Sequence, residues 1–166
     1  MGEWTIRAAV PGDWPSIWPF WHDIVAEGAS YTRDPDTDEA TARRLWMLPA
    51  PARVFVAVDR ADQVVLGTAV LKPNQPGLGD HVANASFMVA PAAAGRGVGR
   101  RLAGHVLAEA GTAGYQAMQF NAVVETNTAA VALWRSLGFE VLATVPGAFR
   151  HRTLGQVGLH VMYRGL

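Results

Sequence analysis

One stretch, Ala85–Ala113, constrains the fold more than any other. In ASFMVAPAAAGRGVGRRLAGHVLAEAGTA the apolar residues change period from that of a strand to that of a helix. Ser86–Val89 reads as a strand by its β-branched, aromatic and Met content, and Pro91, which has no N–H to give a ladder, stops it. From Val98 the positions Val98, Leu102, Val106 and Ala110 fall on one helical stripe, with Leu107 beside it, until Gly111 and Gly114 end the element. Gly95, Gly97 and Gly99 therefore lie at a helix N-terminus. The first amides of a helix lack intrahelical acceptors and sit at the positive end of its dipole, and glycines let a ligand reach them. With Arg96, Arg100 and Arg101 alongside, the expected guest is a phosphate or pyrophosphate. Spacing removes two familiar phosphate loops. A Walker loop needs a lysine after its second glycine, and the only lysine is Lys72; a dinucleotide fingerprint needs glycine at Arg100 or Leu102.

Composition narrows the rest. A length of 166 residues predicts one domain, spanning 1–166, and 50% hydrophobic residues suffice for one core. The 14 basic and 14 acidic side chains balance, so neither nucleic acid nor a membrane is expected as a partner. The absence of cysteine removes disulfides, thiolate metal sites and a cysteine nucleophile together. No two of the 5 histidines have the i, i+4 spacing of a zinc site, so no metal is expected. The opening MGEWTIRAAV lacks a basic segment followed by an apolar one, and no apolar run approaches membrane-spanning length. The expected location is the cytoplasm.

Along the chain, Trp4–Ala8 is a first strand, ended by Pro11-Gly12, and Asp13 is placed to cap the helix that follows. Trp14, Trp18, Trp21 and Val25 share a face of that helix, which Pro19 should kink or split. The tryptophans suit a core, while His22, Asp23, Glu27, Ser30 and Tyr31 at its end are placed to wall a pocket. A second helix is expected over Asp38–Leu48, a hairpin over Arg53–Arg60 and Val64–Leu71, a surface loop over 72–80 and a strand over His81–Val89. After the helix at 98–110 come the strand Ala117–Val124, the helix Thr128–Leu137 capped near Thr126 or Asn127, and the strand Glu140–Val145. The loop Pro146–Gly155 and the strand Val157–Tyr163 complete the order. The order β-α-α-β-β-β-α-β-α-β-β predicts a mixed α/β domain, and the two crossover helices imply some parallel pairing.

The glycine turn, Ala94-Gly95-Arg96-Gly97-Val98-Gly99, resembles the Gln/Arg-x-x-Gly-x-Gly/Ala motif of the GCN5-related N-acetyltransferases (GNAT), with Ala94 departing at the first position. The element order matches that fold through the whole chain. It implies a central mixed, mostly antiparallel sheet of about seven strands with four helices. A second motif agrees, since Asn127-Thr128-Ala129-Ala130-Val131-Ala132-Leu133-Trp134-Arg135-Ser136-Leu137-Gly138-Phe139 resembles the family's Asn-x-x-Ala-x-x-Leu-Tyr-x-x-x-Gly-Phe. The resemblance implies acetyl-CoA as cosubstrate. Its arm would lie along Phe87, Met88 and Val89, and its phosphates at Arg96, Gly97, Val98, Gly99, Arg100 and Arg101. Asn127 and Trp134 would flank the arm. Trp134 stands where relatives carry a tyrosine that protonates the leaving thiolate, and an indole N–H cannot serve as that acid.

On the acceptor side, Asn84-Ala85-Ser86-Phe87-Met88-Val89 together with Phe120-Asn121-Ala122-Val123-Val124-Glu125-Thr126-Asn127 resembles the proline-analogue N-acetyltransferases that act on azetidine-2-carboxylate. That likeness implies a pocket of asparagines, with Asn84 and Asn121 on the strands flanking the cleft. Asn121, polar between Phe120 and Ala122, reads as a buried amide in need of partners. The segment Pro146-Gly147-Ala148-Phe149-Arg150-His151-Arg152 resembles the acceptor loop of phosphinothricin-type acetyltransferases, so Arg150 or Arg152 is a candidate for pairing a carboxylate and His151 for accepting a proton. Glu27 and Tyr31 complete the expected acceptor wall, and the oxyanion donor is expected to be a backbone N–H near Phe87–Met88. The leading expectation is direct acetyl transfer to a small amine, an amino acid or its analogue, by a homodimer of the family's habit. Acetylation of a protein N-terminus or lysine, a non-catalytic acyl-CoA sensor and a nucleotide-binding protein are the alternatives.

Overall fold

A computed structural model describes residues 4–166. Its strands are β1 (Trp4–Ala8), β2 (Arg53–Asp59), β3 (Val65–Pro73), β4 (Val82–Val89), β5 (Ala117–Val124), β6 (Glu140–His151) and β7 (Gly155–Gly165). Its helices are α1 (Trp14–Glu27), α2 (Glu39–Trp46), α3 (Val98–Thr112) and α4 (Thr128–Ser136). The strands form one sheet in the order β1-β2-β3-β4-β5-β7-β6, antiparallel everywhere except between β4 and β5. Element order and sheet type agree with the sequence expectation.

The apolar runs of β2 and β3 are continuous because both faces of the sheet are covered. Phe55 and Leu71 pack with Leu102, Val106, Met118, Phe120 and Trp134 on the side of α3 and α4. Val56, Val58 and Val70 pack with Trp14, Ile17, Trp21 and Trp46 on the side of α1 and α2. One buried hydroxyl ties the second layer to the sheet: Thr68 Oγ1 accepts from Trp46 Nε1 at 3.0 Å and donates to the Phe55 carbonyl at 2.9 Å.

Three local expectations are corrected. Pro19 does not split α1, which runs unbroken through Glu27; the ring forfeits one backbone bond, and the buried face of Trp14, Ile17, Phe20, Trp21 and Val25 outweighs it. Asp13 stands at the N-cap position of α1, but its side chain makes no cap bond to the helix. Its carboxylate takes two bonds from the Arg7 guanidinium, each 2.8 Å, and one from the Val10 N–H at 2.8 Å. The segment 146–155 is no loop, because β6 continues to His151 and only residues 152–154 turn into β7. Pro146 and Gly147 are carried in a bulge, where the β6–β7 register shifts between Val145 and Phe149.

Candidate active site

β4 and β5 pair only at Val82 with Ala117 and at Ala83 with Met118, and then diverge. The fork holds a cavity of about 550 Å³, walled by β4, β5, the end of α1, the segment after it, and α4. Alternation along β4 decides which main-chain groups face it. Val82 accepts from Asn74 N–H and Ala90 donates to Leu66 O, so even-numbered residues turn to β3, and Ala85, Phe87 and Val89 turn to the fork.

Tyr31 occupies the middle of these. Its hydroxyl donates to the Phe87 carbonyl and accepts from the Phe87 N–H at 3.1 Å. Burial pushes the phenol far above its usual range, so it stays protonated and can do both. The ring lies edge-on to Trp46, with centroids 6.4 Å apart. Placing a tyrosine near the cleft was legible in the sequence; that it takes the place of a missing strand partner was not.

At the open end of the fork the glycine turn has the expected form. Gly97, the cap residue of α3, has φ +76°, a left-handed conformation that favours glycine. The first helical bond runs from Arg101 N–H to Gly97 O at 3.1 Å, which leaves the amides of Val98, Gly99 and Arg100 without intrahelical acceptors. Each arginine has a partner nearby. Arg96 pairs with Asp59 at 3.2 Å, Arg100 donates to Ser136 Oγ at 2.8 Å, and the Arg101 guanidinium lies 4.0 Å from the Trp4 ring centre. All three are exposed and able to trade these contacts for an anion. Across the cleft, Asn127 caps α4 through its Oδ1, which accepts from Ala130 N–H, and it lines the cavity. Trp134 is 8% exposed and packs against Phe87 and Phe120 at centroid distances of 5.0 and 4.7 Å. It is a wall of the cavity rather than a proton donor.

On the acceptor side Glu27, Tyr31, Asn84 and Asn121 all line the cavity, as do Phe87, Met88 and Val89. Asn121 is exposed, correcting the expectation of a buried amide. The β5–β7 register breaks between Phe120 and Val123, which lifts Asn121 and Ala122 out of the ladder and into the fork. Its partners were missed in the sequence. Gln119 Nε2 donates to Asn121 Oδ1 at 2.9 Å, Asn121 Nδ2 donates to Asn74 Oδ1 at 2.7 Å, and Asn84 Nδ2 donates to the Gln119 carbonyl at 2.9 Å. Asn74 and Lys72 looked like surface-loop residues. In fact β3 extends to Pro73, carrying Lys72 beside Asn84 and into the cavity wall. Arg33 lines it too, and Glu27 is the only carboxylate among the lining residues. The Trp21 indole N–H is buried in this wall without a hydrogen-bond partner among the described residues.

The hairpin residues fall elsewhere. His151 Nδ1 accepts from the amides of Thr153 and Leu154, both at 3.2 Å, so the ring is spent on its own turn and does not line the cavity. Arg150 is exposed on β6 and does not line it either, while Arg152 donates to the Ala26 carbonyl at 2.7 Å and fastens the turn to the end of α1. The likeness to the phosphinothricin-type acetyltransferases put these residues in an acceptor loop; here β6 extends through His151 and none of the three lines the cavity.

This geometry agrees with the comparisons. The model of the acetyltransferase (GNAT) family matches residues 18–139. A GCN5-related N-acetyltransferase from Kribbella flavida is 56% identical, with a TM-score of 0.94 over 98% of each chain. The yncA protein of Salmonella typhimurium, solved with its cofactor acetyl-CoA, is 27% identical, with a TM-score of 0.82 over 99% of this chain and 94% of its own. The N-acetyltransferase aca1 of Schizosaccharomyces pombe is 34% identical over 102 residues, 61% of this chain; the chain spans only 48% of that relative's length. With the family model matching most of its length over a forked sheet and a glycine-capped helix, the chain belongs to the acetyltransferase (GNAT) family.

Proposed function

We propose that the protein transfers the acetyl group of acetyl-CoA directly to the amine of a small amino acid or amino-acid analogue. The observation that carries this is the polarity of the acceptor wall. Lys72 and Arg33 offer positive charge to a carboxylate, while Glu27 and Asn84 Oδ1 offer acceptors to an amine. The Asn84 amide is oriented by its bond to a main-chain carbonyl, which only accepts, so its oxygen faces away from Gln119. A zwitterion fits such a pair of ends. A basic peptide would bring its amine past Arg33 and Lys72, which repel it.

In this reading the arm of the donor lies along the fork-facing edge of β4. Its pyrophosphate meets the free amides of α3 with Arg96, Arg100 and Arg101, and its thioester oxygen takes the Phe87 N–H. Asn127 and Trp134 flank the arm. Asn84 and Asn121 hold the acceptor, the amine lone pair attacks the thioester carbon, and the carbon–sulfur bond breaks. The amine's proton leaves towards Glu27 and water, and the thiolate is protonated by solvent because Trp134 cannot do it. His151 and Arg150 have no part in the step.

The same reading includes a homodimer. β6 is an edge strand with Leu142 59% and Val145 49% exposed, a surface that a second copy would cover. The test of function is free-thiol release from acetyl-CoA across amino acids, polyamines and a basic peptide. Release on small amino acids supports the proposal, release on peptide alone replaces the acceptor class, and bound donor with no release on any amine makes the domain a sensor.

A further inference from the structure

Of the main-chain groups that β4 turns to the fork, those of Phe87 are closed by a side chain. The Tyr31 oxygen stands at hydrogen-bond distance from the Phe87 N–H, 3.1 Å, and its proton goes to the carbonyl of the same residue. An unpaired strand edge shielded from water is unfavourable, and a protonated phenol is well suited to cap it, since one hydroxyl serves both a donor and an acceptor. Tyr31 is held there from both sides. Gly28 ends α1 with φ +67° and its carbonyl accepts from Arg152 N–H at 3.0 Å; at the far end Asp38 caps α2 by accepting from Thr41 N–H at 2.8 Å. Between these anchors Ser30, Tyr31, Thr32 and Arg33 all line the cavity.

An incoming oxygen needs the same N–H at the same distance, and one amide hydrogen does not serve two acceptors well. We propose that Tyr31 is a positioning residue of the donor site: its phenol occupies the seat of the thioester oxygen in the free enzyme, and acetyl-CoA binds by displacing it. This rests on the reading that the Phe87 N–H receives the thioester oxygen. Displacement moves the hydroxyl along the segment that carries Arg33, so loading of the donor reshapes the acceptor wall. Free CoA has no thioester oxygen and does not compete for the seat.

The test is calorimetric binding of acetyl-CoA and of CoA to wild type and Tyr31→Phe, which keeps the ring against Trp46 and removes the hydroxyl. The expected result is a rise in the ratio of acetyl-CoA to CoA affinity of about fivefold in the variant, the size of one net hydrogen bond. An unchanged or lower ratio in a variant that melts like the wild type overturns the proposal. If Tyr31→Phe does not fold, the wild type decides by its crystal structure with acetyl-CoA. A Tyr31 oxygen still within about 3.5 Å of the Phe87 nitrogen contradicts displacement, and one moved away supports it. Both measurements read binding, so they stand even if no amine is acetylated and the proposed function fails.

Discussion

The Asn121 side chain donates to Asn74 Oδ1 at 2.7 Å, joining the bulge of β5 to the chain just past the end of β3 across the mouth of the fork. An exposed amide ordinarily samples several rotamers. This one is gripped at both ends, because Gln119 Nε2 donates to its oxygen at 2.9 Å. Asn74→Ala should therefore raise the KM of the acceptor by about fivefold, the size of one net hydrogen bond, and leave the KM of acetyl-CoA and the melting temperature unchanged. Steady-state kinetics with each substrate varied in turn checks this. An equal effect on both KM values would mean that Asn74 shapes the fork as a whole.

Gly97→Ala should weaken donor binding and stability together. A Cβ at Gly97 meets no atom within 4 Å, so the penalty lies in the backbone, which alanine holds at φ +76° only at a cost of about 1 kcal/mol. In a domain of this size that corresponds to a fall in melting temperature of roughly 2–4 °C, with a larger loss of acetyl-CoA affinity where the amide cradle distorts. Arg100→Ala, by contrast, should leave stability alone, cost about tenfold in acetyl-CoA affinity and flatten its dependence on salt. Calorimetry at two ionic strengths separates the two variants.

His151→Ala should leave kcat and its pH profile unchanged, since the ring serves the turn at 152–154 and lies outside the cavity lining. A lost limb of the pH profile would return the histidine to the mechanism.

Asp13 gives the fold a pH dependence. The Arg7 guanidinium, with help from the Val10 N–H, holds its carboxyl below the usual carboxylate range. A depressed folded value means stability that is present above the unfolded value of about 3.9 and is lost as pH falls through the folded one. Asp13→Asn should melt lower than wild type at pH 7, and the gap should close as the pH drops below about 4. Thermal melts across that range measure it.

Much of this was legible in the sequence because it depends on period and spacing. The change of period at Val98 announced the strand, turn and helix that carry Phe87 to Val89 and Gly97 to Arg101. Asn84 and Asn121 came from the likeness to the proline-analogue acetyltransferases, and both line the cavity. What escaped depends on pairing between distant segments. The β6–β7 ladder absorbs Pro146 and Gly147 in a bulge, which no local signal separates from a loop, and so Arg150 and His151 were placed in the acceptor site. Lys72, Asn74 and Gln119 were missed because only the registers of β3 with β4 and of β5 with β7 bring them to the fork. Tyr31 was placed in the pocket, but its bond to Phe87 spans 56 residues and depends on where β4 and β5 part.

The acceptor class is decided by the rate of free-thiol release from acetyl-CoA with small amino acids, including cyclic imino acids, by wild type and Asn84→Ala. Turnover is expected on a carboxylate-bearing amine, with a KM for that amine raised about tenfold or more in the variant and little change for acetyl-CoA. Turnover on such an amine that ignores the loss of Asn84, or turnover confined to amines without a carboxylate, would contradict the proposed function.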